Sequence, residues 1–360
     1  MKFNDKQFSV YNGRKLRVKI FGASHSKEIG VSAKGLDGIT FDGEKLESFM
    51  ERRRAKNTAY STKRIETDKV IVKKGVYNDV ISGEFKAVIK NKAKRSGDYL
   101  NTVKKPRPSH ADFVAWSKYG DGFDYRGGGK FSGRLTAPMC IVGGVLKEHL
   151  ERKGIKINAF ISQIGKVKGK SYKDLGVEQY EFNFSDQNFR LLYDSVREKM
   201  YEQIEFASKN LDSVGGIIDC VITGVPVGAG EYMFDSIESV ISQLAFAVPA
   251  VKGIEFGTGF GFATMRGSKA NDEFYYDGET IKTRSNNNGG INGGISNGMP
   301  ITFRVVVKPT PSIAKQQNTV DLTKKENVKI KIEGRHDACI VPRAVPVIEA
   351  ISAIAIFDCL

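Results

Sequence analysis

Apolar stretches with strand-like alternation and stretches with helix-like four-residue spacing follow one another along the whole chain, and this interleaving narrows the fold more than any other feature. Leu16, Val18 and Ile20 alternate with basic residues, the pattern of a half-buried strand feeding the loop Gly22-Ala-Ser-His-Ser26. Val70 to Val72, ahead of Gly75, and Phe85, Val88 and Ile89 mark two more strands, and Val214 to Val225 is a β-rich run ending at Pro226. Helical spacing recurs in Val142, Leu146 and Leu150, in a segment from Arg134 to Lys153 with Pro138 in its first turn and Gly154 as a stop. Leu192, Val196, Met200 and Ile204 predict a second helix and Ile237 to Phe246 a third; Val347, Ile348, Ile351, Ile354 and Ala355, after Pro346, predict a fourth. The 38 glycines gather in the connections, most densely at Gly127-Gly128-Gly129 and from Gly289 to Gly298. No Pro/Ser-rich linker or fixed-period repeat divides the sequence, so one compact α/β or α+β domain over 1–360 is expected, with Gly165 to Leu175 as a flexible excursion.

The uninterrupted apolar runs, such as Ala344 to Val347 and Ala353 to Phe357, fall well short of the roughly 20 residues that span a bilayer. No signal-peptide pattern opens the sequence, and Cys140, Cys220, Cys339 and Cys359 lack metal-ligand spacing. Reduced thiols, a cytoplasmic location, no membrane association and no metal site are therefore expected. The formal net charge of +15 admits two kinds of partner, nucleic acid or a small polyanion held in a basic cleft. Part of the excess is solvated lysine, as in Lys166 to Lys173 and Lys324 to Lys331. An RNP, KH or zinc-finger pattern is missing and there is one tryptophan, which argues against nucleic acid.

Only four histidines occur. His25 lies in a Gly/Ser loop after a strand, and His110 in the proline-stiffened Pro106-Arg-Pro-Ser-His-Ala-Asp112. Imidazole titrates nearest neutrality, so two loop histidines are candidate acid–base groups; the plain alternative is that each merely hydrogen-bonds its own loop. His149, between Glu148 and Arg152, reads as a surface residue, and His336 is open to either reading. Arg52-Arg53-Arg54, Arg107, Lys130 with Arg134, Lys308 and Arg335 stand near glycine, proline or hydroxyl residues, a combination that suits phosphate. Lys308-Pro-Thr-Pro-Ser312, after the strand-like Phe303 to Val307, could hold a phosphate by lysine and two hydroxyls. None of these matches a Walker loop or a dinucleotide fingerprint.

From about Leu16 to Ile354 the chain resembles the chorismate synthase family. The resemblance rests on Gly22-Ala-Ser-His-Ser-Lys-Glu-Ile-Gly30 with Leu36-Asp-Gly38, on Tyr125-Arg-Gly-Gly-Gly-Lys-Phe-Ser-Gly-Arg134, and on Gly334-Arg-His-Asp-Ala-Cys339 with Pro342-Arg-Ala-Val-Pro346 and Glu349. Arg107-Pro-Ser-His-Ala-Asp112, Ala250-Val-Lys-Gly-Ile-Glu255, Gly289-Gly-Ile-Asn-Gly-Gly-Ile295 and Lys308-Pro-Thr-Pro-Ser312 follow the family's order between them. The resemblance implies an α+β fold, a β-α-α-β sandwich with helices packed between two sheets, assembled as a homotetramer. It implies a flavoprotein lyase of the shikimate pathway, serving aromatic amino acid biosynthesis, that converts 5-enolpyruvylshikimate 3-phosphate to chorismate by 1,4-anti elimination of phosphate. Reduced FMN (FMNH2) would be needed without net redox change. By the same resemblance His25 protonates the departing phosphate, His110 supplies a proton at the flavin's pyrimidine edge, and Asp337 with Ser24 assists proton transfer at the flavin's reactive nitrogen. Arg53, Arg107 and Arg134 fall at anion contacts; Lys130, Phe131, Ser132, Pro249, Ala250, Gly293, Lys308, Pro309, Thr310, Pro311, Ser312 and Arg335 fall where the family contacts flavin. No separate reductase domain is evident, so an external reductant is the simpler expectation, with reduction by NADP(H) on this chain left open.

The sequence departs from the family's pattern at several places, as a divergent bacterial-type member would. Ser26 stands where glycine usually follows the first histidine, and Ala59 where an arginine is usual. Lys130-Phe131 replaces an arginine–serine pair, Leu135 a glutamate, and Ile81-Ser-Gly-Glu-Phe85 a Thr-Gly-Thr-Pro-like segment. A catalytically weakened relative that binds FMN or a phosphorylated metabolite is the second reading these changes raise.

Overall fold

The computed structural model describes residues 8–55, 67–92, 104–176, 180–332 and 337–360. They group into two compact units, one formed by 1–141, 201–215 and 309–340, the other by 142–200, 216–308 and 341–360. The main sheet of each is antiparallel throughout, which decides for α+β over α/β.

In the first unit, β1 (Phe8–Asn12), β2 (Arg17–Phe21), β3 (Glu28–Lys34), β4 (Val70–Tyr77) and β5 (Val80–Lys90) form a sheet in the order β1-β2-β3-β5-β4. Its register follows from one apolar face: Ile29 pairs with Ile89, Val31 with Ala87 and Ala33 with Phe85, all fully buried. The β2–β3 connection is the loop that carries His25, and Glu28 opposite Lys90 brings the residue after β5, Asn91, to the base of that loop. The helix Gly43–Arg53 is capped by Asp42, whose carboxylate accepts from Lys45 N at 2.9 Å, and it buries Leu46, Phe49 and Met50 while delivering Arg53 at its last turn. The helix Asp112–Tyr119 follows the His110 turn directly.

In the second unit the strands run in the order Val167–Lys168, Lys156–Ile164, Gly216–Thr223, Ile301–Val307, Val251–Phe256. The central strand buries Ile218, Cys220 and Ile222, with Cys220 opposite both Ala159 and Phe303. The helix Val341–Cys359 is buried along almost its whole length, and its Glu349 accepts from Ala159 N at 3.0 Å and pairs with Arg190 at 2.7 Å.

Three sequence expectations change. The helix expected from Leu192 begins at Arg197, after a 3-10 turn over Asp194–Val196, so Leu192 packs from a loop. The last helix begins at Val341 and keeps Pro346 inside; the lost amide bond and the ring clash, worth ~3 kcal/mol in an exposed helix, are carried by the burial on every side. Gly165 to Leu175 is no loose excursion. Ser171 and Asp174 form a reciprocal cap, Ser171 Oγ donates to Asp219 at 2.5 Å, and Tyr172 OH donates to Gly257 O at 2.7 Å. Burial pushes the Asp219 carboxyl up, against the hydrogen bonds from Ser162 and Ser171.

The helix Thr136–Arg152 touches the helix Val341–Cys359 backbone to backbone, because a Cβ on Gly143 would overlap Ala350 Cα. Gly143→Ala is expected to lower unfolding free energy by about 1–3 kcal/mol, the overpacking outweighing alanine's better helix propensity. Chemical denaturation measures this; a stabilised variant would show that the two helices separate freely.

Candidate active site

His25 and Ser24 are both buried, and the triple glycine lies against them. Gly127, Gly128 and Gly129 all have positive φ (60°, 84° and 55°), a conformation that glycine alone adopts in succession without strain. A Cβ on Gly127 would stand 2.6 Å from Ser24 Oγ and 2.8 Å from the His25 ring, and one on Gly128 would stand 3.1 Å from His110 Nε2. Two histidines distant in sequence thus address adjacent residues of one loop, and Ser24 N, donating to Gly129 O at 3.0 Å, fixes the His25 side of it. Ser26 strengthens the His25 loop: its Oγ accepts from Ala23 N at 2.9 Å and donates to Glu28 O at 2.6 Å.

His110 closes a turn whose amide donates to Arg107 O, with Pro108 at the second position and Ser109 at φ 56° at the third. Its Nδ1 lies 2.8 Å from Asp112 Oδ1 and 3.1 Å from Arg107 Nη2. A guanidinium cannot accept, and a bare nitrogen facing a carboxylate oxygen would repel it, so Nδ1 carries the proton and donates to Asp112. Nε2, on the Gly128 side, is left to exchange a proton. Arg107 grips the same carboxylate with Nε at 2.7 Å and Nη2 at 2.8 Å, and its Nη1 donates to Ser312 Oγ at 3.1 Å. Burial alone would push the Asp112 carboxyl up; the hydrogen bonds from Arg107 and then His110 outweigh it and hold Asp112 well below the usual carboxylate range.

Arg53 and Arg134 share Asp68, and all three are buried. Arg53 Nη1 donates to Asp68 at 3.1 Å, Nε to Thr136 Oγ1 at 3.0 Å and Nη2 to Gly133 O at 2.9 Å. Arg134 Nη1 pairs with the other Asp68 oxygen and its Nε donates to Asn91 Oδ1 at 3.1 Å, while its buried Nη2 has no hydrogen-bond partner among the described residues. Arg107 is therefore engaged chiefly by Asp112, and Arg53 by Asp68, Thr136 and the Gly133 carbonyl, while Arg134 keeps one buried guanidinium nitrogen without a hydrogen-bond partner among the described residues.

Lys130 stacks its ammonium 3.7 Å over Tyr119, Phe131 is partly exposed 5.7 Å from Phe123, and Ser132 Oγ caps Arg134 N at 3.3 Å. In the same unit Pro309, Thr310, Pro311 and Ser312 form an irregular segment in which Thr310 Oγ1 is buried without a hydrogen-bond partner among the described residues and Thr310 O accepts from Ser213 at 2.7 Å. Pro249, Ala250, Gly293 and Lys308 belong to the second unit, where Lys308 N donates to Ala250 O at 2.9 Å and Gly293 turns a two-residue-strand hairpin at φ 62°. Asp337 is half-buried, one residue before Ala338, whose carbonyl accepts from Val214 N at 2.9 Å. Ala59, Arg335 and His336 lie outside the described residues. His149, expected at the surface, stacks edge-on against Phe357 at 5.8 Å, and burial pushes its imidazole down.

Sequence reasoning passed over Asp112, Asp68 and Asn91. Asp112 stands two residues beyond His110 in the motif already singled out, the local signal for a carboxylate orienting an imidazole. Asp68 and Asn91 carry no such signal, since their partners lie tens of residues away.

The family model for chorismate synthase matches residues 16–360. The chain belongs to the chorismate synthase family. It is 43% identical over 348 residues to the chorismate synthase of Thermococcus kodakarensis, covering 96% of each chain. It is 40% identical over 348 residues to that of Dehalococcoides mccartyi, covering 96% of this chain and 95% of the relative. A solved structure titled "Crystal Structure of Chorismate Synthase" superposes with a TM-score of 0.67 at 24% identity, over 97% of this chain and 92% of that one, which shows the α+β fold of the family. The chain is an enzyme of this family, a lyase of the shikimate pathway. Among the described residues no helix is long and apolar enough to cross a membrane.

Proposed function

We propose that residues 1–360 act as one catalytic domain that eliminates phosphate from 5-enolpyruvylshikimate 3-phosphate to give chorismate, with reduced FMN as cofactor and an external reductant to supply it. The reading is carried by His25 and His110 standing against adjacent glycines, Gly127 and Gly128, where two proton-handling groups can serve one bound pair of ligands. Reduced FMN, when bound, would supply electron density to the allylic system, with no net redox change over the elimination. His25 donates a proton to the phosphate oxygen as the carbon–oxygen bond breaks, sparing the leaving group a full charge. His110, held by Asp112 with Nδ1 protonated, keeps Nε2 for proton exchange. The ring carbon–hydrogen bond breaks as the second half of the elimination, and Asp337 with Ser24 would assist passage of that hydrogen, as a proton, from the flavin's reactive nitrogen to solvent. Arg134 Nη2 and Thr310 Oγ1, both buried and without hydrogen-bond partners among the described residues, suit phosphate oxygens, and Lys130 to Ser132, Pro249, Ala250, Gly293, Arg335 and Lys308 to Ser312 are the proposed cofactor contacts.

A cytoplasmic homotetramer is part of the same proposal. The test is anaerobic incubation of the full chain with reduced FMN and 5-enolpyruvylshikimate 3-phosphate, with chorismate measured by absorbance. Chorismate should form without net flavin oxidation; flavin binding without product would reject the lyase reading in favour of a weakened binding protein. Ser26 speaks against that second reading, because its hydroxyl holds the His25 loop in shape.

A further inference from the structure

Asn91 is 94% buried, being 6% exposed, and every polar atom of its carboxamide is engaged by a different part of the site. Nδ2 donates to Ala23 O at 3.1 Å and to Ser26 O at 3.0 Å, carbonyls that bracket His25 in sequence. Oδ1 accepts from Arg134 Nε at 3.1 Å. The amide orientation is fixed by these neighbours, since the flipped form would set oxygen against two carbonyls and an NH2 group against a guanidinium N–H. The backbone of Asn91 is held as well, its N–H donating to Lys27 O at 3.1 Å.

We infer that Asn91 is a positioning residue that locks the His25 loop and the Arg134 guanidinium to each other, so that the imidazole and the open Nη2 meet one oxyanion together. Three hydrogen bonds from one side chain span elements that nothing in the local sequence joins: the β2–β3 loop, the residue after β5, and the turn after the triple glycine. Arg53 and Asp68 hold the far side of Arg134, so Asn91 is the member of this network that reaches the proton donor. The consequence is linkage: an anion that settles on Arg134 should draw a proton onto His25, and the coupling should pass through Asn91. This inference rests on the reading of His25 as the group that meets the leaving phosphate.

The experiment uses the full chain and inorganic phosphate as the probe. Calorimetric titrations in buffers of different ionisation enthalpy, between about pH 5 and 8, report affinity and the protons taken up on binding. The wild type should bind phosphate with proton uptake that His25→Gln abolishes. Asn91→Ala, melting like the wild type, should bind phosphate about tenfold more weakly and lose the uptake, as expected when the buried hydrogen bonds that orient a cation are removed. Should Asn91→Ala fail to fold, Asn91→Asp serves: it keeps an acceptor for Arg134 Nε but turns both loop contacts repulsive, and proton uptake should again vanish. Unchanged affinity and uptake in a folded variant would overturn the inference, as would a wild type that binds no phosphate or binds it without protonation. Failure of the lyase reading is seen separately, as absence of chorismate from a wild type that still shows the phosphate linkage.

Discussion

His25→Ala is expected to lower turnover of 5-enolpyruvylshikimate 3-phosphate by about 10²–10⁴-fold, the range typical for removal of a positioned general acid. Phosphate leaves poorly as a fully ionised group, and the imidazole is the side chain in the Gly22–Ser26 loop able to hand it a proton near neutral pH. The loss should fall on kcat rather than on flavin binding. The loop backbone is held without the imidazole, by Ser24 N on Gly129 O, by the Ser26 hydroxyl and by the Asn91 carboxamide. Steady-state kinetics with reduced FMN, alongside a flavin-binding titration, measures both quantities. A variant with wild-type kcat would remove His25 from the chemistry; a variant that has lost flavin binding would make it a structural residue.

The sequence made the sheets and most helices legible because their apolar periods are local. Val142, Leu146 and Leu150 are all fully buried on the helix their spacing implied, and the β3 and β5 faces pair as their alternation required. The misread elements are those where tertiary contacts override local rules. Pro346 sits inside a helix because burial on all sides sustains it, and the glycine- and lysine-rich Gly165 to Leu175 is pinned through Ser171 by Asp219, 48 residues on. The histidines stood out as candidates for a chemical reason, since few residues titrate near neutrality and both lay in glycine- or proline-shaped loops, and the structure sets them against adjacent glycines. The arginines were legible only as charge. What the charge does depends on Asp68, which takes Nη1 of Arg53, and on Asp112, which takes Nε and Nη2 of Arg107, and no charge count along the chain separates an arginine that faces a ligand from one that faces a buried aspartate.

Asp112→Asn should be nearly isosteric yet lower turnover by a factor on the order of 10²–10⁴, the size of effect seen when a catalytic imidazole is held in the wrong tautomer. In the wild type, Oδ2 accepts from Arg107 N at 3.1 Å and Nε at 2.7 Å, while Oδ1 accepts from Arg107 Nη2 and from His110 Nδ1, both at 2.8 Å. An asparagine has one oxygen for these four donors. Kept on the Arg107 N and Nε side, that oxygen leaves the NH2 group facing His110 Nδ1, which must then accept, so the ring proton moves to Nε2. Asparagine also leaves the buried Arg107 charge without its counter-ion, and Ser312 Oγ, bound to Arg107 Nη1, shifts with it. Nitrogen-15 NMR of the imidazoles should show Nδ1 of His110 protonated in the wild type and Nε2 in the variant. The pH dependence has a definite sign. The Asp112 pKa is depressed in the folded protein, so its contribution to stability is complete above the ordinary carboxylate range and is lost only as pH falls toward the depressed value. The stability gap between wild type and Asp112→Asn should therefore be flat from about pH 5 to 8 and close only in strong acid. A gap that closes near neutral pH, or a His110 that keeps its Nδ1 proton with turnover intact, would show that Asp112 does not set the tautomer.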